Sequence, residues 1–564
     1  MEMIAESLFM LLVIFGSGAL LQQAINRQFK KEYQLLLGVL VYIGSVSYLV
    51  SFIAMIHDAR PLISVIYWAS VLSSAYFYLK NFRRLRGLFT PIRIQMRDKY
   101  LLAIAFIVIV SLIHNILFAY EGFDGIGYHL PFAVEAFKTG HFDLQFNDAN
   151  REDFLYLHKI TLPFFYEGFI GYSLAFHPEA YKLLPTLAFI LFLGFSYYFA
   201  RLFFDRKKAI FGTALLSATP LLAYHSIMLY TDLMHASFIV ASLYCILRWK
   251  REKESAYLFY SAAFISVAAL IKLPILALAF SIPLILVKDR KSVLLYFAVL
   301  SLIFIPHYAI RIASMTYEGF VFSHGVGIVY ESQIDFGKTL SAVLDSIIII
   351  SRSADFTPYF YLGIIAMLLA KDDIAEMRKF SIVSVVFLII GYALSMANYQ
   401  SVSLGFRRHF LMALGAVSVP FLLSVYDRNK KILKGLVFLA FVLSLSYSLL
   451  IFYARSDFNG NLNTVTAEIR QHVVPEDNLT VILTNAHTIP KGSFYLNYPG
   501  RRFKVMETDN MDAYASSGAD YILVENTGTN FLSYTPVYTK NITIYFPKEE
   551  RSIRLYKKEM NIIS

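Results

Sequence analysis

The stretch EGFDGIGYHLPFAVEAFKTGHFD, residues 121–143, follows an apolar run of the chain. It begins a loop that extends to residue 180, where the next apolar run starts. Asp124 comes as soon as the first run ends. From Glu121 to Glu167 the loop holds eight carboxylates and three basic residues, and residues 121–180 include four histidines. An acidic, aromatic loop tied to the bilayer at both ends can act on a substrate that a lipid carries. We therefore predict that the chemistry takes place in this loop.

The composition around the loop is that of a polytopic membrane protein. Of 564 residues, 57% are hydrophobic and 16% charged, with 50 Phe and 39 Tyr. A membrane helix needs about 20 mostly apolar residues. The first run carries Glu2 and Glu6 in place of a basic leader, so we interpret it as an anchor. The sequence predicts about fourteen membrane helices, centred near residues 14, 45, 70, 110, 190, 217, 240, 263, 280, 301, 363, 388, 417 and 442.

Lys and Arg residues predict the orientation, because cytoplasmic loops retain them. Fourteen crossings place every basic cluster inside and put the Asp124 loop and everything after Tyr453 outside. The formal charge of +11 is explained by these clusters and by anionic headgroups. No nucleic-acid signature is present, so nucleic acid is not an expected partner. The basic clusters are residues 27–31, 80–99, 206–208, 248–253, 288–291 and 428–434.

Several classes of enzyme are excluded by missing motifs. The chain has no CxxC, HExxH or GxxxxGK[ST], and no GxGxxG between a strand and a helix, which excludes zinc peptidases, P-loop ATPases and dinucleotide enzymes. The single Cys245 lies in an apolar run and is interpreted as a packing residue. Energy for a reaction must then come from the substrate.

A change of composition at about Arg455 marks a second domain. The polar segment 455–564 contains four strand-like runs and two helical stretches, near 463–473 and 509–517, and predicts a small extracytoplasmic α/β domain. We divide the rest into residues 1–99, three N-terminal helices with a basic loop, and 100–454, a membrane core with its large loop at 120–178. The strand-like runs are NLTVILTN, RFKVMET, ADYILVEN and KNITIYFP.

Four stretches of the chain are FDGIGYHLPFAVEAFKTGHFD, LLSATPLLAYHSIMLYTDLMHASFIVASLYCI, AALIKLPILALAF and GFRRHFLMALGAV. Together they resemble the GT-C superfamily of membrane glycosyltransferases, which includes protein O-mannosyltransferases and aminoarabinose transferases. They cover roughly residues 100–455, whose eleven predicted crossings resemble the protein-mannosyltransferase arrangement, with three helices added in front. Family members usually show two adjacent acidic residues, whereas Gly125 follows Asp124 here.

The resemblance implies transfer of a sugar from a polyprenyl-phosphate donor to a protein, lipid or polysaccharide acceptor, at the outer face of a bacterial inner membrane. Such a donor already carries a good leaving group, so the enzyme must deprotonate the acceptor hydroxyl and hold the phosphate. Asp124 is the predicted base. It also suits the N-cap of a helix that opens at Gly125 and closes at Gly140, and both roles are compatible.

Other loop residues are candidates for the same cleft. Tyr128 and His129 follow Asp124 on the predicted helix, although a histidine beside a proline is more often structural than a ligand. Some members of the family hold a divalent metal through loop carboxylates and a histidine. Glu167 with His158 or His324 offers such ligands, but no fixed spacing supports a site, so the metal stays open.

Cations outside the loop are candidates for the donor phosphate. Lys272 lies between two apolar runs on the predicted outer side, where an ammonium meets an anion or snorkels to the headgroups. Arg407 and Arg408 begin a helix on that side, and Arg suits bidentate phosphate contact. Asp232 occupies a recurrent position of the family, where substrate contact, an N-cap and an Arg partner are all open.

Two other classes of function compete with an enzyme. A transporter or flippase of lipid-linked glycans predicts charges spread through mid-helix positions and repeat symmetry, and neither is visible in the sequence. A noncatalytic assembly subunit that recruits partners through residues 455–564 is compatible with the sequence.

Overall fold

The computed structural model describes most of the N-terminal two thirds of the chain, a long C-terminal helix and a sheet. The described ranges are residues 2–25, 33–89, 99–118, 129–142, 165–286, 289–314, 431–473, 479–483, 503–507, 520–525, 534–545 and 548–558, with Gly125 and scattered positions between 363 and 422. The helices are α1 (Glu2–Ile25), α2 (Tyr33–Ile56), α3 (Arg60–Phe89), α4 (Lys99–Leu117), α5 (Leu130–Lys138), α6 (Glu167–Ser173), α7 (Leu184–Arg201), α8 (Arg206–Ser217), α9 (Pro220–His225), α10 (Asp232–Glu252), α11 (Ser255–Ile271), α12 (Leu276–Leu286), α13 (Arg290–Ser314) and α14 (Lys431–Arg470).

The chain is a multi-pass membrane protein. In the described ranges, seven helices are long and apolar enough to cross a bilayer. The prediction of a helical membrane protein is confirmed. The seven spans are Met3–Ile25, Tyr33–Ile56, Arg60–Asn81, Lys99–Leu117, Ala180–Arg201, Arg290–Ala313 and Val437–Ser456.

Two predicted crossings, near residues 217 and 280, consist of shorter helices than the sequence suggested. Helix α8 has 12 residues and is followed by α9, which begins at Pro220. Helix α12 has 11 residues, about 16 Å at 1.5 Å per residue. Proline lacks an N–H and restricts the residue before it, so helices end ahead of Pro220 and Pro274.

Helix α10 forms the centre of the bundle. Its residues from Asp232 to Leu247 are all buried, so it is enclosed on every side. It packs against α7 and α11, and α11 packs in turn against α13.

The N-terminal helices are integral to this bundle. Helices α1 and α2 cross closely at Gly18 and Gly38, where a Cβ on Gly38 would overlap the carbonyl oxygen of Gly18. Helix α2 also reaches α6, since a Cβ on Gly168 would lie 2.8 Å from the amide nitrogen of Ser51. The three helices at the front of the chain therefore contact the segment that follows the large loop.

The C-terminal domain contains a five-stranded mixed sheet. Strands β1 (Leu479–Leu483), β2 (Phe503–Glu507), β3 (Tyr521–Glu525), β4 (Tyr534–Tyr545) and β5 (Lys548–Lys558) lie in the order β2-β1-β3-β5-β4. Strand β1 is parallel to β2 and β3, whereas β5 is antiparallel to β3 and β4. All four predicted strand runs are confirmed. Strand β5 is additional, and the helical stretch near 509–517 lies outside the described residues.

Helix α14 extends from the bundle to the sheet, where its end contacts β4. Its 40 residues extend about 60 Å, twice the hydrocarbon thickness, so its second half leaves the membrane. Glu468 near its end accepts hydrogen bonds from Tyr538 Oη at 2.6 Å and Lys540 Nζ at 2.8 Å, both on β4. The predicted domain boundary at Arg455 thus falls inside a continuous helix.

Candidate active site

One end of the bundle collects basic and tyrosine side chains. Tyr33 at the start of α2 and Tyr257 at the start of α11 place their hydroxyl oxygens 2.6 Å apart. Arg248 near the end of α10 donates to both, at 3.2 and 3.3 Å. The guanidinium of Arg251 lies 5.9 Å from the ring of Phe203, which joins this end of α10 to the turn after α7. We call this the basic end.

The opposite end collects the candidate site residues. Helix α10 ends at the basic end and therefore starts at the opposite end of the bundle. Five of the described helices run in the other direction, so that their last residues lie near the start of α10. These helices are α2, α4, α11, α13 and α14. Asp232, Lys272 and Arg455 lie at this second end. We call it the site end. The segregation follows from chain direction, and it separates Asp232 and Lys272 from Arg248 and Arg251.

Asp232 and Lys272 form a part-buried ion pair at the site end. Lys272 Nζ lies 2.5 Å from Asp232 Oδ1, and His225 Nδ1 lies 4.0 Å from Asp232 Oδ2. Asp232 is 1% exposed. Lys272 follows the last residue of α11 in an extended conformation, which turns its side chain away from the helix.

The pairing corrects two sequence interpretations. Thr231, not Asp232, is the N-cap residue of α10, and Asp232 is its first helical residue. One partner of Asp232 is Lys272, at 2.5 Å. Lys272 does not reach the headgroups alone, because it meets a carboxylate inside the bundle. Both residues were candidates, and their contact makes them one site.

Gly125 lies against the segment that leads to Asp232. A Cβ on Gly125 would lie 2.8 Å from the carbonyl oxygen of Leu229, closer than real Cβ atoms come, so only glycine fits there. The residue after Asp124 therefore contacts the chain three positions before Asp232. Asp124 and Tyr128 themselves lie outside the described residues.

His129 and Glu167 form a second pair, and both are buried. His129 Nδ1 contacts Glu167 Oε1, and the two residues are 6% and 1% exposed. The contact joins the start of α5 to the start of α6. Glu167 also acts electrostatically on Arg311, a buried residue near the end of α13. His129 is therefore paired with a carboxylate.

Ser51 and His307 belong to the same region, and sequence reasoning did not identify them. Ser51 Oγ and His307 Nε2 are 2.8 Å apart and link α2 to α13. His307 packs against the rings of Tyr48, Phe52 and Phe165, the last of which lies two residues before α6. A histidine after Pro306 inside an apolar run was the available signal.

The described residues do not complete a metal site. Within that part of the chain, no three His, Cys, Asp or Glu side chains converge on a common point. Glu167 is engaged by His129, and the other suggested ligands, His158 and His324, lie outside the described residues, as do Arg407 and Arg408.

Solved structures and a sequence family share this architecture. ArnT from Cupriavidus metallidurans in the apo state superposes with a TM-score of 0.55 at 14% identity, over 81% of this chain and 97% of ArnT. The same enzyme bound to undecaprenyl phosphate gives 0.53 at 15% identity, with the same coverage. The fold is that of the GT-C glycosyltransferases. Among curated proteins, no significant match was found.

The family match falls on the centre of the GT-C fold. Residues 170–310 match the family described as dolichyl-phosphate-mannose-protein mannosyltransferase. This segment runs from α6 to α13 and includes both Asp232 and Lys272. Asp124, His129 and Glu167 precede it, so the comparison does not bear on their roles. The family and the structural neighbours are glycosyltransferases.

Proposed function

We propose that the protein transfers a sugar from a polyprenyl-phosphate donor to an acceptor at the extracytoplasmic face of a bacterial inner membrane. The observation that carries the proposal is the match to ArnT over 97% of its length, including a structure of ArnT with undecaprenyl phosphate bound. The buried charged groups at the site end support it, because ionisable groups at membrane depth are costly without a function.

The reaction breaks the bond between the sugar C1 and the phosphate oxygen, and forms a bond from C1 to the acceptor oxygen. The acceptor hydroxyl proton passes to the carboxylate of Asp124, and polyprenyl phosphate leaves with the electron pair of the broken bond. Gly125 against Leu229 supports this role, because it anchors the start of the loop beside the Asp232 segment.

Lys272, Arg407 and Arg408 are assigned to the phosphate in this proposal. An ammonium carries three N–H donors, so contact with Asp232 and contact with a phosphate are compatible. His129, Glu167 and Tyr128 are assigned to the substrate cleft in this proposal, and the contact between His129 and Glu167 at the start of the loop helix supports the assignment. The acceptor, whether protein, lipid or glycan, approaches from outside the membrane.

The decisive experiment replaces Asp124 by Asn in the full-length protein. Transfer of labelled sugar from undecaprenyl-phosphate hexoses and pentoses into the lipid, protein and glycan fractions of membranes is measured. We expect a loss of 10²–10⁴-fold, the usual worth of a general base. Asparagine is nearly isosteric and an excellent N-cap, so the capping role survives the change.

Asp205→Asn is the matched control. Asp205 caps α8 at the basic end, where its carboxylate accepts from the backbone N–H of Lys208 at 3.0 Å. Asparagine preserves this cap, so transfer by this variant should equal that of the wild type. If Asp124→Asn transfers sugar at the wild-type rate with saturating donor, Asp124 is an N-cap residue and not the base. Glu121, Asp143 and Glu167 would then be tested as the base. Movement of donor across vesicles without transfer would favour the flippase.

A further inference from the structure

The turn between α2 and α3 contacts the far end of the loop helix α5. The backbone N–H of Ala59 donates to the carbonyl oxygen of Gly140 at 2.8 Å, and Phe142 donates to Ala54 at 2.9 Å. Ala59 is fully buried and Phe142 is 5% exposed. Two backbone hydrogen bonds thus join the segment after α5 to an element more than 80 residues earlier in the chain.

Gly140 makes this contact possible in two ways. Its φ of +81° lies in the left-handed region, which a residue with a side chain rarely adopts. A Cβ at this position would overlap Asp58 Oδ1. The carboxylate of Asp58 therefore occupies the space that a side chain at residue 140 would need.

Asp58 is itself held in place. Arg60 Nε lies 3.0 Å from both carboxylate oxygens, Arg60 Nη2 lies 2.6 Å from Oδ2, and the Arg60 backbone N–H donates to Oδ1 at 2.9 Å. These hydrogen bonds lower the pKa of Asp58 to about 2, so the carboxylate is charged throughout the physiological range. The turn is a preformed surface for Gly140.

The start of α5 is held in place by α6, which itself packs against α2. His129 pairs with Glu167, and a Cβ on Gly171 would lie 2.9 Å from the carbonyl oxygen of Ala133. Helix α5 has nine residues, too few to be stable alone. Its position is therefore set by α2 and by α6, which α2 supports at Gly168.

We propose that the α2–α3 turn, residues 57–59, is a positioning element for the loop that carries Asp124: it clamps the chain at Gly140 and so fixes the helix that follows the base. The N-terminal helices thereby take part in the site without touching substrate. The inference rests on the proposed function for its catalytic consequence, whereas the clamp itself is testable without turnover.

The test compares Gly140→Ala with Gly435→Ala in the full-length protein in lipid nanodiscs. Gly435 lies in helix α14, and a methyl group added there would meet no heavy atom within 4 Å, so alanine at this position should be silent. Hydrogen exchange of the amides of residues 129–142 should be about five- to tenfold faster in Gly140→Ala, because a strained left-handed alanine weakens the clamp. Arg60→Gln, at a side chain 55% exposed, should give a smaller increase in the same peptides without unfolding.

Transfer kinetics supply the second measurement. We expect kcat to fall about ten- to a hundredfold in Gly140→Ala with little change in the apparent donor KM, because displacement of a reacting group by about 1 Å has this cost. Unchanged exchange in both variants would overturn the clamp. Faster exchange with unchanged kcat would overturn its positioning role. If the wild type transfers no sugar from any polyprenyl-phosphate donor, the proposed function fails and hydrogen exchange alone decides the clamp.

Discussion

Asp232 and Lys272 are 40 positions apart in sequence, and their contact changes the meaning of both. From sequence, Lys272 was explained by phosphate or headgroups, and Asp232 by a cap, an arginine or substrate. Each explanation considered one residue in its own helix. The crossing of α10 and α11 brings the two charges together, and no local pattern encodes that crossing. Single-sequence reasoning therefore identified both residues but not the pair.

The ion pair predicts that a single substitution at Lys272 destabilises the folded protein much more than substitution of both residues. Lys272→Gln removes the ammonium group that lies 2.5 Å from the carboxylate of Asp232, which is 1% exposed. Removing one partner of a buried pair costs about 3–5 kcal/mol, whereas replacing both is often nearly neutral. Thermal unfolding of the purified protein should therefore show a lower Tm for Lys272→Gln than for Lys272→Gln/Asp232→Asn. A double variant no more stable than the single one would contradict the pairing.

The same double variant tests whether Lys272 binds the donor phosphate. Because this variant is expected to stay folded, a change in donor binding is not caused by misfolding. If Lys272 also holds the donor phosphate, the folded double variant should show a raised donor KM, since a charge-assisted contact contributes about 1.5–3 kcal/mol. The acceptor KM should change little. An unchanged donor KM would assign Lys272 to structure alone.

For single helices and strands, the sequence predictions are correct where one local residue determines where the helix or strand ends. Gly140 was predicted to close the loop helix, and the helix ends at Lys138 with Thr139 as its cap residue and Gly140 in the left-handed region. Strand β5 was not predicted because its sequence, KEERSIRLYKK, is mostly charged. Its alternating Ile553 and Leu555 are nevertheless fully buried against the neighbouring strands. An alternation of only two apolar residues does not distinguish a strand from a polar loop in the sequence.

The junction of α14 and β4 predicts a pH dependence. Hydrogen bonds from Lys540 and Tyr538 lower the pKa of Glu468. A carboxyl group with a lowered pKa stabilises the folded state above its unfolded pKa, about 4.3, and loses that contribution as the pH falls through the folded value. The junction should therefore loosen in acid. Limited proteolysis between α14 and β1 should be faster below about pH 4 than at pH 7, and Glu468→Gln should remove most of this difference.

The described part of the molecule has two chemically different ends, and the basic clusters of the sequence predict that one of them faces the cytoplasm. Chain direction then places Asp232, Lys272 and the Gly140 clamp together at the end away from Arg248. What the sequence did not predict is the contribution of the N-terminal helices, which it presented as an addition to the core. Their contacts, at Gly168 and Gly140, involve single glycines whose partners are identified only by the fold.

The last prediction concerns the side of the membrane on which the site end lies, and the single cysteine makes it testable. Cys245 is fully buried, so labelling of the wild type with a membrane-impermeant maleimide should be negligible. Glu254→Cys places an exposed thiol at the basic end, beside the end of α10, and Gln471→Cys places one after α14. Because cytoplasmic loops retain Lys and Arg, we expect intact cells to label Gln471→Cys only, and Glu254→Cys to react after permeabilisation. The reverse pattern would put the site end in the cytoplasm, where the proposed extracytoplasmic transfer has no access to its acceptor.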